Sequence, residues 1–118
     1  MTWGTSLHID LKNCRRELID EDNINHWIVH LCDFIGAIPH IPPFVICYGN
    51  TEKNTDFSVV QFIELSHITA RFSTWTAEIF IDILLDRKFD TDSTVEMCAA
   101  YFDAEITNYK KLERGRSR

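Results

Sequence analysis

A serine and a histidine stand side by side at Ser66 and His67, inside the otherwise apolar run Phe57-Ser58-Val59-Val60-Gln61-Phe62-Ile63-Glu64-Leu65-Ser66-His67-Ile68-Thr69-Ala70-Arg71-Phe72. Burying a hydroxyl or an imidazole without a partner costs free energy, so both need a reason to be there. A serine beside a histidine offers a nucleophile and a base. The run reads as two strands, Ser58 to Leu65 and His67 to Phe72, meeting at the polar Ser66-His67 step. Neighbouring strand residues point to opposite faces, which separates Ser66 from His67 and groups His67, Thr69 and Arg71. The plainer role for Ser66 is a strand-end hydroxyl bonded to backbone. Asp82 and Asp86 follow in the next apolar segment, and a cross-strand ion pair from Arg71 to one of them is expected. His26 and His30, spaced i and i+4, have the helical spacing of two metal ligands. With no third ligand nearby in sequence, they read as helix-surface histidines. Phe72 and Trp75 read as core or interface aromatics rather than a stacking pair for a ligand.

These residues need elements to hold them. Ser6 to Leu11 alternates polar and apolar as a half-buried strand. Asp20 to Gly36 predicts a helix, capped by Asp20 or Asp22 and ended by Gly36. Its apolar stripe is Ile24, Trp27, Ile28, Leu31, Phe34 and Ile35. Phe44 to Tyr48 is a β-branched and aromatic strand, and Gly49 to Asp56 a polar loop. Glu78 to Leu85 is another strand, joined by the short Ser73-Thr74-Trp75-Thr76 linker to the one before it. Ser93-Thr94-Val95-Glu96 has the form of a capping box opening a helix to about Phe102, and Ala104 to Tyr109 reads as an edge strand. Strands and helices in this order predict an α+β two-layer sandwich, a mostly antiparallel sheet with two helices on one face. The other face is left to pair with a second subunit.

Composition narrows the function classes. The 118 residues suit a single domain over 1–118, with a basic tail at about 110–118 that reads as a frayed terminus. A net charge of −6 gives no basic footprint for nucleic acid or an anionic membrane. No apolar run approaches a membrane span, and the first residues carry no secretory signal pattern. Cys14, Cys32, Cys47 and Cys98 are scattered beside apolar residues, as reduced structural thiols of a cytoplasmic protein would be.

The spacing of several of these residues resembles the bacterial-type S-adenosylmethionine decarboxylases. Leu7-His8-Ile9-Asp10-Leu11 stands where that family has its first strand, followed by Cys14 and the helix. Ser58 lies eight residues before Ser66, and Ser66-His67-Ile68-Thr69 is similar to the family's Ser-His-hydrophobic-Ser/Thr run. Ile79 to Leu85 matches the next strand, with Asp82 in register. The resemblance implies a proenzyme that cuts itself before the key serine. The serine oxygen takes over the preceding acyl group as an ester, and loss of the serine α-proton expels that ester and leaves a pyruvoyl group. Its ketone then serves as the electron sink for loss of CO2. Mapped here, the cut falls between Leu65 and Ser66. Ser66 becomes the pyruvoyl group, Ser58 stabilises the oxyanion or ester, and Glu64 and Leu65 border the substrate.

Two positions depart from the family. Its α-proton-removing histidine falls at Arg71, whose guanidinium stays protonated and cannot act as a base. Its proton-donating cysteine falls at Asp86. One reading is a divergent pyruvoyl enzyme in which His67 or His8 is the base, acting on S-adenosylmethionine for spermidine synthesis or on arginine or ornithine. A second is a non-catalytic homologue that binds a ligand or binds or regulates a partner subunit, and a third is an unprocessed enzyme of different chemistry on the same fold. A homodimer is implied by the resemblance, because the family builds its site near the subunit interface; the non-catalytic homologue would instead pair with an active paralogue.

Overall fold

The computed structural model describes residues 2–49 and 55–115. Strand β1 (Gly4–Lys12) leads through a 3-10 turn (Arg16–Leu18) into helix α1 (Glu21–Ile35). Strands β2 (Phe44–Tyr48), β3 (Asp56–Ile63), β4 (Ser66–Ser73) and β5 (Glu78–Leu85) follow, then helix α2 (Thr91–Tyr101) and strand β6 (Glu105–Arg114). The strands form one sheet in the order β2-β3-β4-β5-β1-β6, with every neighbouring pair antiparallel. The α+β sandwich expected from the sequence is present.

Alternation decides which face is covered. Leu7, Ile9 and Leu11 of β1, Ile68 and Phe72 of β4, and Ile79, Ile81 and Ile83 of β5 are buried beneath the helices. Trp27 of α1 sits at the centre of this layer, fully buried, with the rings of Phe72 and Phe102 edge-on at 5.4 and 5.6 Å. The outer face carries the alternate set: Ser58 and Phe62 of β3, His67 and Arg71 of β4, Phe80 and Asp82 of β5, and His8 of β1.

Helix α1 begins and ends where its sequence signals stand. Asp20 accepts the Asn23 backbone N–H at 2.8 Å, and Gly36 is left-handed at φ 70. Helix α2 starts earlier than the Ser93 capping box suggests. Asp90 is the cap, accepting the Ser93 backbone N–H at 3.1 Å and its hydroxyl at 2.8 Å. Those two bonds hold the Asp90 carboxyl below its usual range. A carboxylate one turn upstream outcompetes the serine because it satisfies the orphan N–H groups of the first turn and favours the positive end of the helix dipole.

Three other boundaries differ from expectation. The turn between β3 and β4 is Glu64-Leu65, not Ser66-His67, because Ile63 and Ser66 pair directly across the strands. Strand β6 runs on to Arg114, so Lys110 to Arg114 are a paired edge of the sheet rather than a frayed tail; Arg114 pairs with Gly4 and donates to the Ser6 hydroxyl at 2.8 Å. Asn50 to Asn54 of the expected polar loop, and Arg116 to Arg118, lie outside the described residues. Among the described residues, no helix is long and apolar enough to cross a membrane.

Candidate active site

The turn at Glu64-Leu65 lacks turn chemistry. Two-residue hairpin turns favour positive φ at the first or both central residues, with glycine or asparagine supplying it. Here Leu65, the second central residue, is left-handed at φ 64. A branched side chain held there stores on the order of 1–3 kcal/mol of backbone strain. Leu65 recovers little by burial, being 72% exposed. Ser66, the next residue, is 7% exposed and points inward with Ile68, Ala70 and Phe72. Its Oγ is shielded from solvent and meets no hydrogen-bond partner among the described residues. An unpaired buried hydroxyl costs about 1–3 kcal/mol. A strained acyl residue and an unengaged hydroxyl thus meet at one peptide bond, and the hydroxyl has no competing acceptor to hold it back. Attack by Ser66 Oγ on the Leu65 carbonyl carbon would break that bond.

Leu65 also lines a cleft of about 260 Å³ with Gly36, Ile38, Glu64, Asp86 and Arg87. Arg87 shapes its wall. One guanidinium nitrogen donates to the Gly36 carbonyl at the C-terminal end of α1, and another lies 3.4 Å from Asp86 Oδ1. A cation there also suits the negative end of the helix dipole.

Ser58, His67 and Arg71 stand on the outer face, away from the Ser66 hydroxyl. Ser58 pairs with Arg71 across β3 and β4, and His67 pairs with Phe62. Arg71 binds Asp56 at 2.5 Å, so the ion pair expected with Asp82 or Asp86 is not formed. The reason is register: Arg71 lies opposite Phe80 of β5, whereas Asp82 lies between Thr69 and His8. Asp82 instead takes His8, Nδ1 to Oδ1 at 2.6 Å, and Asp86 takes Arg87. Arg71, Asp56, Tyr48, Trp75 and Phe80 line an outer cleft of about 450 Å³. Arg71 is exposed and Asp56 only half-buried, so Arg71→Ala is expected to cost about 1 kcal/mol or less in urea unfolding. A loss well above that would give the pair a structural role its exposure does not support.

The structure therefore gathers Glu64, Leu65, Asp86 and Ser66 at the turn, and sets Ser58, His67 and Arg71 apart from them. Phe72 is a core residue, while Trp75 is 65% exposed in the β4–β5 connection. His26 and His30 are exposed on α1, and the His30 ring stacks on Tyr101 at 6.0 Å. Cys14, Cys32 and Cys98 are buried free thiols and Cys47 is exposed. Burial pushes Cys32 up to about 11 and Cys98 up to about 12, which keeps both protonated and unreactive. Sequence reasoning missed Asp56 and the His8–Asp82 pairing. Both depend on which strands lie side by side. Arg87 stands directly after Asp86 in the sequence, and the two form the ion pair that this adjacency allows.

The family model described as S-adenosylmethionine decarboxylase matches residues 5–115. Among solved structures, the chain is similar to the adenosylmethionine decarboxylase from Aquifex aeolicus VF5, with a TM-score of 0.81 and 13% sequence identity, covering 99% of this chain and 94% of that one. At that identity the likeness speaks for the fold. No curated protein matches the sequence.

Proposed function

The chain belongs to the S-adenosylmethionine decarboxylase family, and on that basis we propose that it cuts itself between Leu65 and Ser66, converts Ser66 to a pyruvoyl group and decarboxylates S-adenosylmethionine. The observation that carries this reading is the left-handed Leu65 followed directly by the buried, unpartnered Ser66 hydroxyl. A serine destined to become the prosthetic group fits that description better than a structural serine, whose hydroxyl would be bonded. The pyruvoyl ketone, once formed, supplies an electron sink for loss of CO2 from an amine substrate. The chain's own residues bind and orient. Glu64 offers a carboxylate to the substrate ammonium, Leu65 and Ile38 an apolar wall, and Asp86 takes the family's proton-donor position. The decarboxylated product would serve as aminopropyl donor for spermidine in the cytoplasm; arginine or ornithine would offer the same ammonium and carboxylate.

The outer sheet face supports a homodimer. Phe44, Ile46 and Phe62 are each about half exposed there, at 54%, 52% and 46%. Covering such a face with a second copy would bury apolar surface at roughly 25 cal/mol per Å².

A second reading rests on Arg71. It is engaged by Asp56, cannot accept a proton, and lies with Ser58 on the face opposite the Ser66 hydroxyl. An uncut chain of this kind would serve as a binding or regulatory subunit. Release of labelled CO2 from carboxyl-labelled S-adenosylmethionine, abolished by prior borohydride treatment, is the outcome expected of the enzyme. Release of none by the purified chain, with co-purification of an active paralogue, is the outcome expected of the subunit.

A further inference from the structure

We propose that Asp86 is the base that removes the Ser66 α-proton during maturation; this deepens the self-processing reading above and rests on it. The residue at the family's histidine position cannot fill that role. Arg71 is five residues along β4 from Ser66, on the outer face, and bound to Asp56. The two histidines offered in its place are on that face as well, His67 exposed and His8 tied through Nδ1 to Asp82. At the turn itself, the ionisable residues lining the cleft beside Leu65 are Glu64, Asp86 and Arg87. Of these, the carboxylates alone can accept a proton.

Position separates the two carboxylates. The β4–β5 ladder ends at His67 and Leu84, and Asp86 stands two residues past Leu84, just beyond the end of β5, where it lines the cleft with Leu65. The Cα–H bond of a strand residue lies near the sheet plane, toward a neighbouring strand. Asp86 thus brings a carboxylate to the β5 side of the turn, beside the residue that precedes Ser66. Arg87 holds it there through Oδ1 while anchored on Gly36. Glu64 is exposed in the turn and belongs to the acyl fragment, which is displaced in the step that needs the base.

The chemistry balances without any further oxidant or reductant. Ser66 Oγ bonds to the Leu65 carbonyl carbon, the carbon–nitrogen bond breaks, and the hydroxyl proton passes to the freed amine. Asp86 then takes the Ser66 α-proton. The released electron pair forms the Cα–Cβ double bond, and the Cβ–oxygen bond breaks to free the Leu65 carboxylate. The resulting enamine becomes an imine, and water hydrolyses it to the ketone and ammonia.

The test is intact mass spectrometry of the native chain, Asp86→Asn, Asp86→Glu and Glu64→Gln, each with and without hydroxylamine, which cleaves esters. The native chain is expected to mature. Asp86→Asn should stall as an ester of unchanged mass that hydroxylamine splits at Leu65, with elimination slowed about 10²–10⁴-fold. That split also shows the variant is folded well enough for the first step. Asp86→Glu, which keeps a carboxylate, should mature more slowly than the native chain but faster than Asp86→Asn. Maturation of Asp86→Asn at the native rate, or stalling of Glu64→Gln instead, would overturn the assignment while leaving self-processing intact. A native chain that yields no fragments even with hydroxylamine would remove self-processing, and the role of Asp86 with it.

Discussion

Ser66→Ala is expected to remain one uncut 118-residue chain under conditions in which the native protein, as proposed, cuts itself. The methyl group has no oxygen to receive the Leu65 acyl group, so neither the ester nor its elimination can occur. The same substitution carries a stability signature. Removing a buried hydroxyl that meets no partner relieves a desolvation penalty of about 1–3 kcal/mol, so the variant should unfold at equal or higher urea concentration than the uncut native chain. Most serine-to-alanine changes in a core do the opposite, by deleting a hydrogen bond. Fragments from Ser66→Ala would assign the cut to another residue. A clear stability loss would show that the hydroxyl has a partner.

Trp27→Ala is expected to lose about 3–5 kcal/mol, a large fraction of the roughly 5–15 kcal/mol that keeps a domain folded. Trp27 is the largest fully buried side chain, and it joins the layers: α1 carries it, Phe72 presents β4 to one ring edge, and Phe102 presents the end of α2 to another. The cavity left by an indole cannot be refilled by the flanking isoleucines without moving a helix. Trp27→Phe keeps part of the aromatic packing and should lose less than half as much. Urea unfolding measures both; a loss under about 1 kcal/mol for the alanine variant would mean that the core collapses around the site.

Much of the sandwich was legible because its signals are local. Asp20 and Gly36 bracket α1 with a cap and a left-handed stop, and the isoleucines of β5 alternate as a covered strand must. The opposition of Ser66 and His67 also follows from a period of two. The rest depends on partners far away in sequence. His8 and Asp82 meet because β1 and β5 pair, and no local pattern selects that pairing. The turn was misplaced because Glu64-Leu65 offers neither glycine nor asparagine, and the visible polar step stood one residue later. Ser58 and Ser66 lie on opposite faces of the sheet, because the reversal at Glu64-Leu65 stands between them. Local turn preference is broken at Leu65, the residue before the proposed cut, and such breaks are expected at functional sites.

Intact mass spectrometry of the freshly purified native chain tests the central claim most directly. Self-processing predicts two fragments, one ending at Leu65 with a free carboxylate and one beginning at position 66 with the mass of a pyruvoyl group. A single unmodified chain that stays whole for days would contradict it, and would leave the strained Leu65 and the unpaired Ser66 hydroxyl as features of a subunit that is never cut.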